Sequence, residues 1–517
     1  MNRSLNRLLP LATLLLASLA AACGNGGAVV GPPPPPVGNF SNASLKGQYA
    51  FSMSGTELCL QVSSFFARVG TLTADGNGNI TGGLEDVNVC NGIATLQFTG
   101  GKYSIAADGR GTLSLTNNTG TTNYSITLSS STLGVIAQTD VNSTASGSFH
   151  RQNNAAFSNS AINAGYVFDF AGISARQNPE SIIGRFDADS AGGISAGLFD
   201  SNEAGTLSGQ RLFPAGAFYQ VDTNGDGTNF GRGTANIAGH DFTFYIVDAT
   251  RLELLGTDFP EAFSGEAIAQ QNIFFTPASL NSGFAFLIGG SSLSKTVFGP
   301  IATAGRFTAD GLGNLTFVFL DENNGGFLTL LPSTGGTVTG TYTVDGNGLG
   351  GGTATWTDTK VGTFSFIFYL ISPTQAVFQE TDSNITSDGS FLAQTPGPIT
   401  PASLAGDFAF VWSGVSSDEE DFVGHLNLTS ASGNNASGAM DFNQFALNQQ
   451  FFNIPFAGPL TITAPGTGPN TLTVTTSFST PMTFNFTAYA VDSNKVFLIG
   501  AETGRVSVIA GSVVRQP

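Results

Sequence analysis

The stretch GRFTADGLGNLTFVFLDEN, Gly305 to Asn323, carries two runs in which apolar and polar side chains alternate, joined by Asp310-Gly311 and closed by Asp321-Glu-Asn323. Alternation with a period of two puts every second side chain on one face and predicts half-buried strands, while Asp-Gly between such runs predicts a hairpin turn. The same arrangement stands at Gly70 to Asn88 (GTLTADGNGNITGGLEDVN), Gly184 to Asn202 (GRFDADSAGGISAGLFDSN) and Gly424 to Asn443 (GHLNLTSASGNNASGAMDFN). Agreement at so many offsets marks an internal repeat.

Working outward, Gly47-Gln-Tyr-Ala-Phe51, Gly165-Tyr-Val-Phe168, Gly283-Phe-Ala-Phe286 and Gly406-Asp-Phe-Ala-Phe410 open four units about 120 residues apart. Each unit closes on a Gly and a Gln: Gly147 to Gln152, Gly265 to Gln270, Gly389 to Gln394 and Gly511 to Gln516. The boundaries expected are residues 42–153, 158–272, 277–395 and 401–517, with short Pro-bearing linkers such as Thr395 to Pro401. Alternating runs such as Tyr124, Ile126, Leu128 and Phe364, Phe366, Phe368 fill each unit, and no helix-period stretch interrupts them. About eight strands per unit, joined by hairpins, predict an all-β chain of four antiparallel up-and-down barrels, closure being the device that removes exposed strand edges. A β-sandwich is the alternative, and an eight-bladed propeller a more distant one. The opening Leu45-x-Gly47-x-Tyr49 and Leu404-x-Gly406-x-Phe408 look loosely like the avidin and lipocalin group of small barrels, a resemblance of architecture alone.

The N-terminus reads MNRSLNRLLPLATLLLASLAAACG: Arg3 and Arg7, an apolar stretch too short to span a bilayer, then Ala20-Ala-Ala-Cys23. This resembles the lipobox of bacterial lipoproteins, although Leu19 stands four rather than three positions before the cysteine. The resemblance implies residues 1–22 as a signal peptide, lipidation of Cys23 and a membrane-anchored envelope protein. Gly24 in place of Asp implies the outer membrane of a diderm cell. Residues 23–41, with Pro32 to Pro36 at their centre, form a Gly/Pro-rich tether. The chain as a whole resembles repeat lipoproteins of environmental bacteria. Cys59 and Cys90, both in the first unit, are expected to form a disulfide in an oxidising compartment.

With net charge −18 and 18 Lys plus Arg, the chain lacks the basic footprint of a nucleic-acid binder. The 44 Phe against 9 Tyr and 2 Trp point to packed cores rather than exposed stacking platforms, and the scarcity of Tyr and Trp argues against a membrane-spanning barrel. In an eight-strand meander the Asp-Gly turns fall at one end. The longer, dissimilar loops Gly55 to Ser64, Glu203 to Phe213, Asn324 to Val338 and Gln444 to Phe456 fall at the other, where binding groups usually lie. The pairs Asp86/Asn88, Asp200/Asn202, Asp321/Asn323 and Asp441/Asn443 stand at that end. Counted from Ile80, Leu84 and Ile194, Leu198, the face they share points inward. They are therefore expected to line a mouth for a cation, glycan, small molecule or protein ligand, or else to cap the loops.

Three motifs are discounted. Gly193-Ile-Ser195-Ala-Gly197, with Asp226 and His240 downstream, matches a nucleophile elbow but needs a helix that the repeat lacks. Asp222, Asn224 and Asp226 resemble the start of a calcium loop without its twelfth-position Glu, leaving a weak calcium site at most. Gly346 to Gly351 fits a dinucleotide fingerprint by letters only. No cofactor is implied. The expectation is a non-catalytic binding module, then a purely structural repeat rod, and last a hydrolase.

Overall fold

The computed structural model describes residues 38–517 except 224–229, 294–297, 417, 431–434, 446, 464–465 and 503–506. Cys23, Asn224 and Asp226 lie outside them.

The first unit comprises β1 (Lys46–Cys59), β2 (Val62–Asp75), β3 (Asn79–Val89), β4 (Gly92–Gln97), β5 (Gly100–Ile105), β6 (Arg110–Asn117), β7 (Gly120–Leu128), β8 (Leu133–Gln138) and β9 (Ser143–Arg151). Every pairing is antiparallel between neighbours in the chain, and β9 returns to β1, Phe149 opposite Phe51. β4 and β5 share one register on β3 and act as two halves of a single strand, so the unit is an eight-stranded closed barrel. The other three units repeat this order, from Gly165–Ile173 to Ala262–Ala269, from Gly283–Leu293 to Ile385–Ala393 and from Gly406–Val415 to Val508–Arg515. The fold is all-β, four tandem barrels.

The period-two pattern makes the interiors. Tyr49, Phe51, Phe66, Leu113, Tyr124 and Phe149 meet inside the first barrel, and Phe286, Trp356, Phe366, Phe378 and Phe391 inside the third. In the third, Trp356 lies 4.2 Å from Phe366 by ring centroids and Phe366 4.5 Å from Phe378. The interiors are filled at this level by aromatic rings, which answers the abundance of Phe. The Gly that opens each diagnostic stretch has a steric reason. A Cβ at Gly70, Gly184, Gly305 or Gly424 would stand 2.7, 2.6, 2.6 or 2.5 Å from the ring of Phe51, Phe168, Phe286 or Phe410.

One end of each barrel is capped by a single helical turn: Asn42–Ser44, Asn159–Ala161, Pro277–Ser279 and Pro401–Leu404. Behind each turn Leu45, Ile162, Leu280 or Leu404 drops into the core. Tyr103, Tyr219 and Tyr342 tie the first three caps down by donating their hydroxyls to cap carbonyls. The Asp-Gly turns lie at this end, Asp75 and Asp310 accepting from the backbone N–H groups two and four residues on. Of the loops expected at the other end, Gly55 to Ser64 is mostly strand and turns tightly at Leu60 and Gln61, both with positive φ.

The barrels do not string out as a rod. Four apolar clusters lie between barrels rather than inside them. The first–second contact is Ala50, Val69, Tyr245 and Leu255; the second–third, Val167, Ile183, Tyr369 and Val377. The third–fourth is Ala304, Tyr489, Phe497 and Ile499; the fourth–first, Val135, Ala137, Ala409 and Val423. The fourth contact closes the array into a ring, in which the opening strands of each barrel pack on the late strands of the next.

Candidate functional site at the loop-bearing end

The four acid–amide pairs do not line the mouths. Their side chains point away from the barrel interiors and lie in the junctions between barrels, a correction to the inward orientation expected from sequence. The cause is a one-residue irregularity in the pairing of the second and third strands, between Thr73 and Ala74, Arg185 and Asp187, and Arg306 and Thr308. Because a strand alternates with period two, one extra residue exchanges the faces beyond it. Ile80 and Ile194 pack with the cores, whereas Leu198, past the irregularity, packs in the second–third junction. In the fourth unit Ala436 to Gln444 pairs with Glu420 to Leu428 without interruption, and Met440 and Phe442 point into the core while Asp441 and Asn443 point out.

Each amide performs the same task on its neighbour, donating to main-chain oxygens where the seventh strand ends and the eighth begins. Asn88 donates to Gly256 O at 2.9 Å and Glu261 O at 2.6 Å, and Asn202 to Glu380 O at 3.1 Å and Ile385 O at 2.8 Å. Asn323 donates to Gly500 O and Ser507 O, both at 2.9 Å. Asn443 reaches back to the first barrel, to Gln138 O at 3.1 Å, Asp140 O at 3.2 Å and Ser143 O at 2.7 Å. The paired acids accept from the sixth strand of the same neighbour. Tyr245 donates to Asp86 at 2.6 Å, Tyr369 to Asp200 at 2.7 Å and Ser125 to Asp441 at 2.7 Å; Arg232 adds two contacts to Asp86, at 2.8 and 3.0 Å. Tyr489 stands against Asp321, whose carboxyl is pushed up to about 6, chiefly by burial. Burial likewise raises Asp200 and Asp441.

The closing Gln of each unit is a second clamp at the capped end. Gln152 donates to Phe230 O and Ile246 O, and Gln270 to Leu349 O and Leu370 O. Gln394 donates to Thr467 O and Ala490 O, and Gln516 to Asp108 O and Leu128 O of the first barrel. The sequence displays these glutamines and the unit-specific Tyr without showing what they touch. A readable signal was nonetheless present. FSFIFYLI, Phe364 to Ile371, breaks its alternation halfway, as a strand does when both faces become buried.

The groups that do face the mouths are different residues. Arg68 pairs with Glu85 at 3.3 Å and lies 5.5 Å over the Phe66 ring in the first barrel. Glu180, His240 and Glu261 stand in the second, and Glu322, Glu380 and Asp382 in the third; Glu420 accepts from Gln444 at 2.8 Å in the fourth. Burial, then neighbouring carboxylates, pushes Glu322 up to about 7 and raises Glu380 well above the usual carboxylate range; burial puts Asp382 at about 6. Cys59 and Cys90 are bonded, joining two hairpin tips at the first mouth.

Ser195 lies exposed in the strand Ile194–Glu203, with no turn into a helix. Asp222 is engaged by Arg232 at 2.8 Å. Open clefts run along the barrel surfaces. One of about 530 Å³ lies between Lys102 and Leu113 of the first barrel and Phe452 of the fourth; another, of about 360 Å³, lies between Asn88 and Cys90 of the first and Ile173 and Phe259 of the second.

No protein-family model and no curated protein matches the chain. Among solved structures it is similar to isotype 1 transferrin binding protein B from serogroup B Neisseria meningitidis, at 10% identity over 75% of this chain and 85% of that one, TM-score 0.21. A mutant of the corresponding protein from Haemophilus parasuis is similar at 8% identity over 75% and 84%, TM-score 0.20. The intact Ap-TbpB, with N and C lobes, is similar at 9% identity over 92% and 77%, TM-score 0.19. Likeness at this level transfers no residue, ligand or partner.

Proposed function

We propose that this chain is a non-catalytic binding protein of the bacterial cell envelope, lipid-anchored at Cys23 and most at home on an outer membrane, whose ring presents its loop-bearing end to a protein partner. The carrying observation is the placement of exposed apolar side chains. Leu60 and Val141 of the first barrel, Phe259 of the second, Phe327 of the third, and Leu447 and Phe452 of the fourth all stand exposed at the loop-bearing end. Exposed apolar side chains recurring at one end of all four barrels suit contact with a protein or a membrane. The described chain starts at the other end, Phe40 N donating to Ala107 O beside the Asp108-Gly109 turn. The aromatic packing of the interiors favours contact across the outer face over uptake of a small molecule into a barrel.

Two measurements test this reading. Radiolabelled palmitate is expected in the wild-type protein and absent from C23S; unlabelled wild type would remove the anchor. A photo-crosslinking residue at Phe327 or Phe452 is expected to give a discrete protein adduct in intact cells, whereas one at Leu312, exposed at the capped end, gives none. Absence of adducts at all loop positions would instead support the second reading, a structural envelope protein, which the filled interiors and the closed ring favour.

A further inference from the structure

At the loop-bearing mouth of the second barrel the structure assigns a divalent-metal site: we propose that His240, Asp258 and Glu261 bind a zinc-class ion. His240 Nδ1 lies 2.8 Å from Glu261 Oε2, and one ligand atom from each of the three residues falls within 4.8 Å of the others. No other such group occurs among the described residues. One imidazole nitrogen and two carboxylate oxygens, at metal distances of about 2.0–2.2 Å, are the mixed set that zinc accepts when three protein ligands leave a fourth position open. Ligand atoms at those distances around a tetrahedral ion stand about 3.4 Å from one another, so the His240–Glu261 contact would open slightly to admit it.

The three ligands are held from behind, as a site requires. His240 follows the tight Ala238-Gly239 turn, both residues with positive φ, and its ring meets Phe263 edge-on at 5.4 Å. Asp258 accepts from Asp241 N at 2.7 Å through one oxygen, and its main-chain oxygen accepts from Glu261 N at 2.7 Å. The Glu261 main-chain oxygen in turn accepts from Asn88 of the first barrel, so the junction clamp fixes the ligand loop. An ion pair between His240 and Glu261 would account for those two residues alone. It leaves the nearby Glu180, which makes no hydrogen bond to a described residue. Burial pushes its carboxyl up to about 7, with His240 opposing the rise and Glu203 and Glu261 adding to it. Strand register sets Thr122, Phe364 and Phe484 where His240 stands, so the site belongs to the second barrel alone.

Zinc chloride and cobalt chloride are the probes, applied to the full mature chain stripped with chelator. Calorimetry is expected to show one zinc equivalent per chain, and cobalt a visible d–d band with a histidine-to-metal signature. H240A is expected to weaken zinc binding at least about tenfold, and E261Q and D258N to do the same; H425A, which removes a histidine paired with Asp407 elsewhere, leaves it unchanged. E261Q and D258N keep the main-chain contacts of the loop, so they report on the ligands even if H240A fails to fold. No binding by wild type, or equal binding by wild type, E261Q and D258N, would overturn the site. Loss of binding in H425A alone would show an adventitious histidine. The loop-end crosslinks proposed above do not depend on this result.

Discussion

The fourth–first junction and the third–fourth junction use the same positions and are built differently. The third–fourth joint is mainly apolar, with Phe497, Ile499, Tyr489 and Val508 against Ala285, Ala302 and Ala304. The fourth–first joint has a smaller apolar cluster and Thr127 where the other barrels place Tyr, the donor to Asp441 being Ser125, two positions earlier on the strand. In compensation it carries side-chain bridges. Arg110 donates to Asn453 at 2.8 Å, Asn142 N to Asn448 at 2.8 Å, Thr144 to Asp421 at 2.8 Å, and Thr56 to Glu419. The first three junctions are also held by a linker, which makes their effective concentration high. The closing joint has no such linker, and directional hydrogen bonds give it register where apolar contact would permit sliding.

The largest way to stress that difference is the disulfide. Cys59 and Cys90 close a loop of sequence separation 31 beside Glu57 and Leu58, and Leu58 N donates to Asn142 O at the closing joint. Removing such a cross-link costs about 4 kcal/mol in the chain-entropy account. C59S/C90S is expected to lower Tm and to speed hydrogen exchange at residues 138–143 before the third–fourth joint responds.

Next comes pH. Burial first, offset by hydroxyl donors, pushes Asp421 up to about 6, and Asp321 at the apolar joint likewise sits at about 6. Each folded value lies above the unfolded value of about 3.9, so the stabilisation is fully present below about pH 4 and is lost as pH rises through 6, about 3 kcal/mol per two units. Tm is therefore expected to be higher at pH 5 than at pH 7.5. D421N, which keeps an acceptor for Thr144, is expected to flatten the profile and D321N to do so equally; an unchanged profile in both would refute the assignment.

Asn443 bridges three main-chain oxygens and Asn323 two, and an orphaned buried group costs about 1–3 kcal/mol. N443A is expected to expand the molecule in small-angle scattering, whereas N323A lowers Tm without expansion, its barrels remaining linked. The smallest effect is S125A, about 1 kcal/mol, read by the same Tm assay and expected to add little to N443A because both act on one joint.

Most of the barrel was legible. Asp-Gly turns, period-two runs and the recurrent Gly depend on contacts within a hairpin or between adjacent strands, and local patterns report these well. The facing of Asp86, Asp200 and Asp321 was not, because parity must be carried across a turn, and one irregular residue reverses it. His240, Asp258 and Glu261 were equally invisible as a group, since a tight turn and a loop on another hairpin bring them together.

The amino-acid sequence by itself determined four repeats, their antiparallel strands, their Phe-filled interiors and the bond between Cys59 and Cys90, since each follows from composition, periodicity or proximity along one unit. Tertiary structure alone decided that the fourth barrel returns to the first and that Asn88, Asn202, Asn323 and Asn443 grip a neighbour's main chain. The physical reason is that a backbone carbonyl carries no residue identity, so an amide reaching for one leaves no partner to be read.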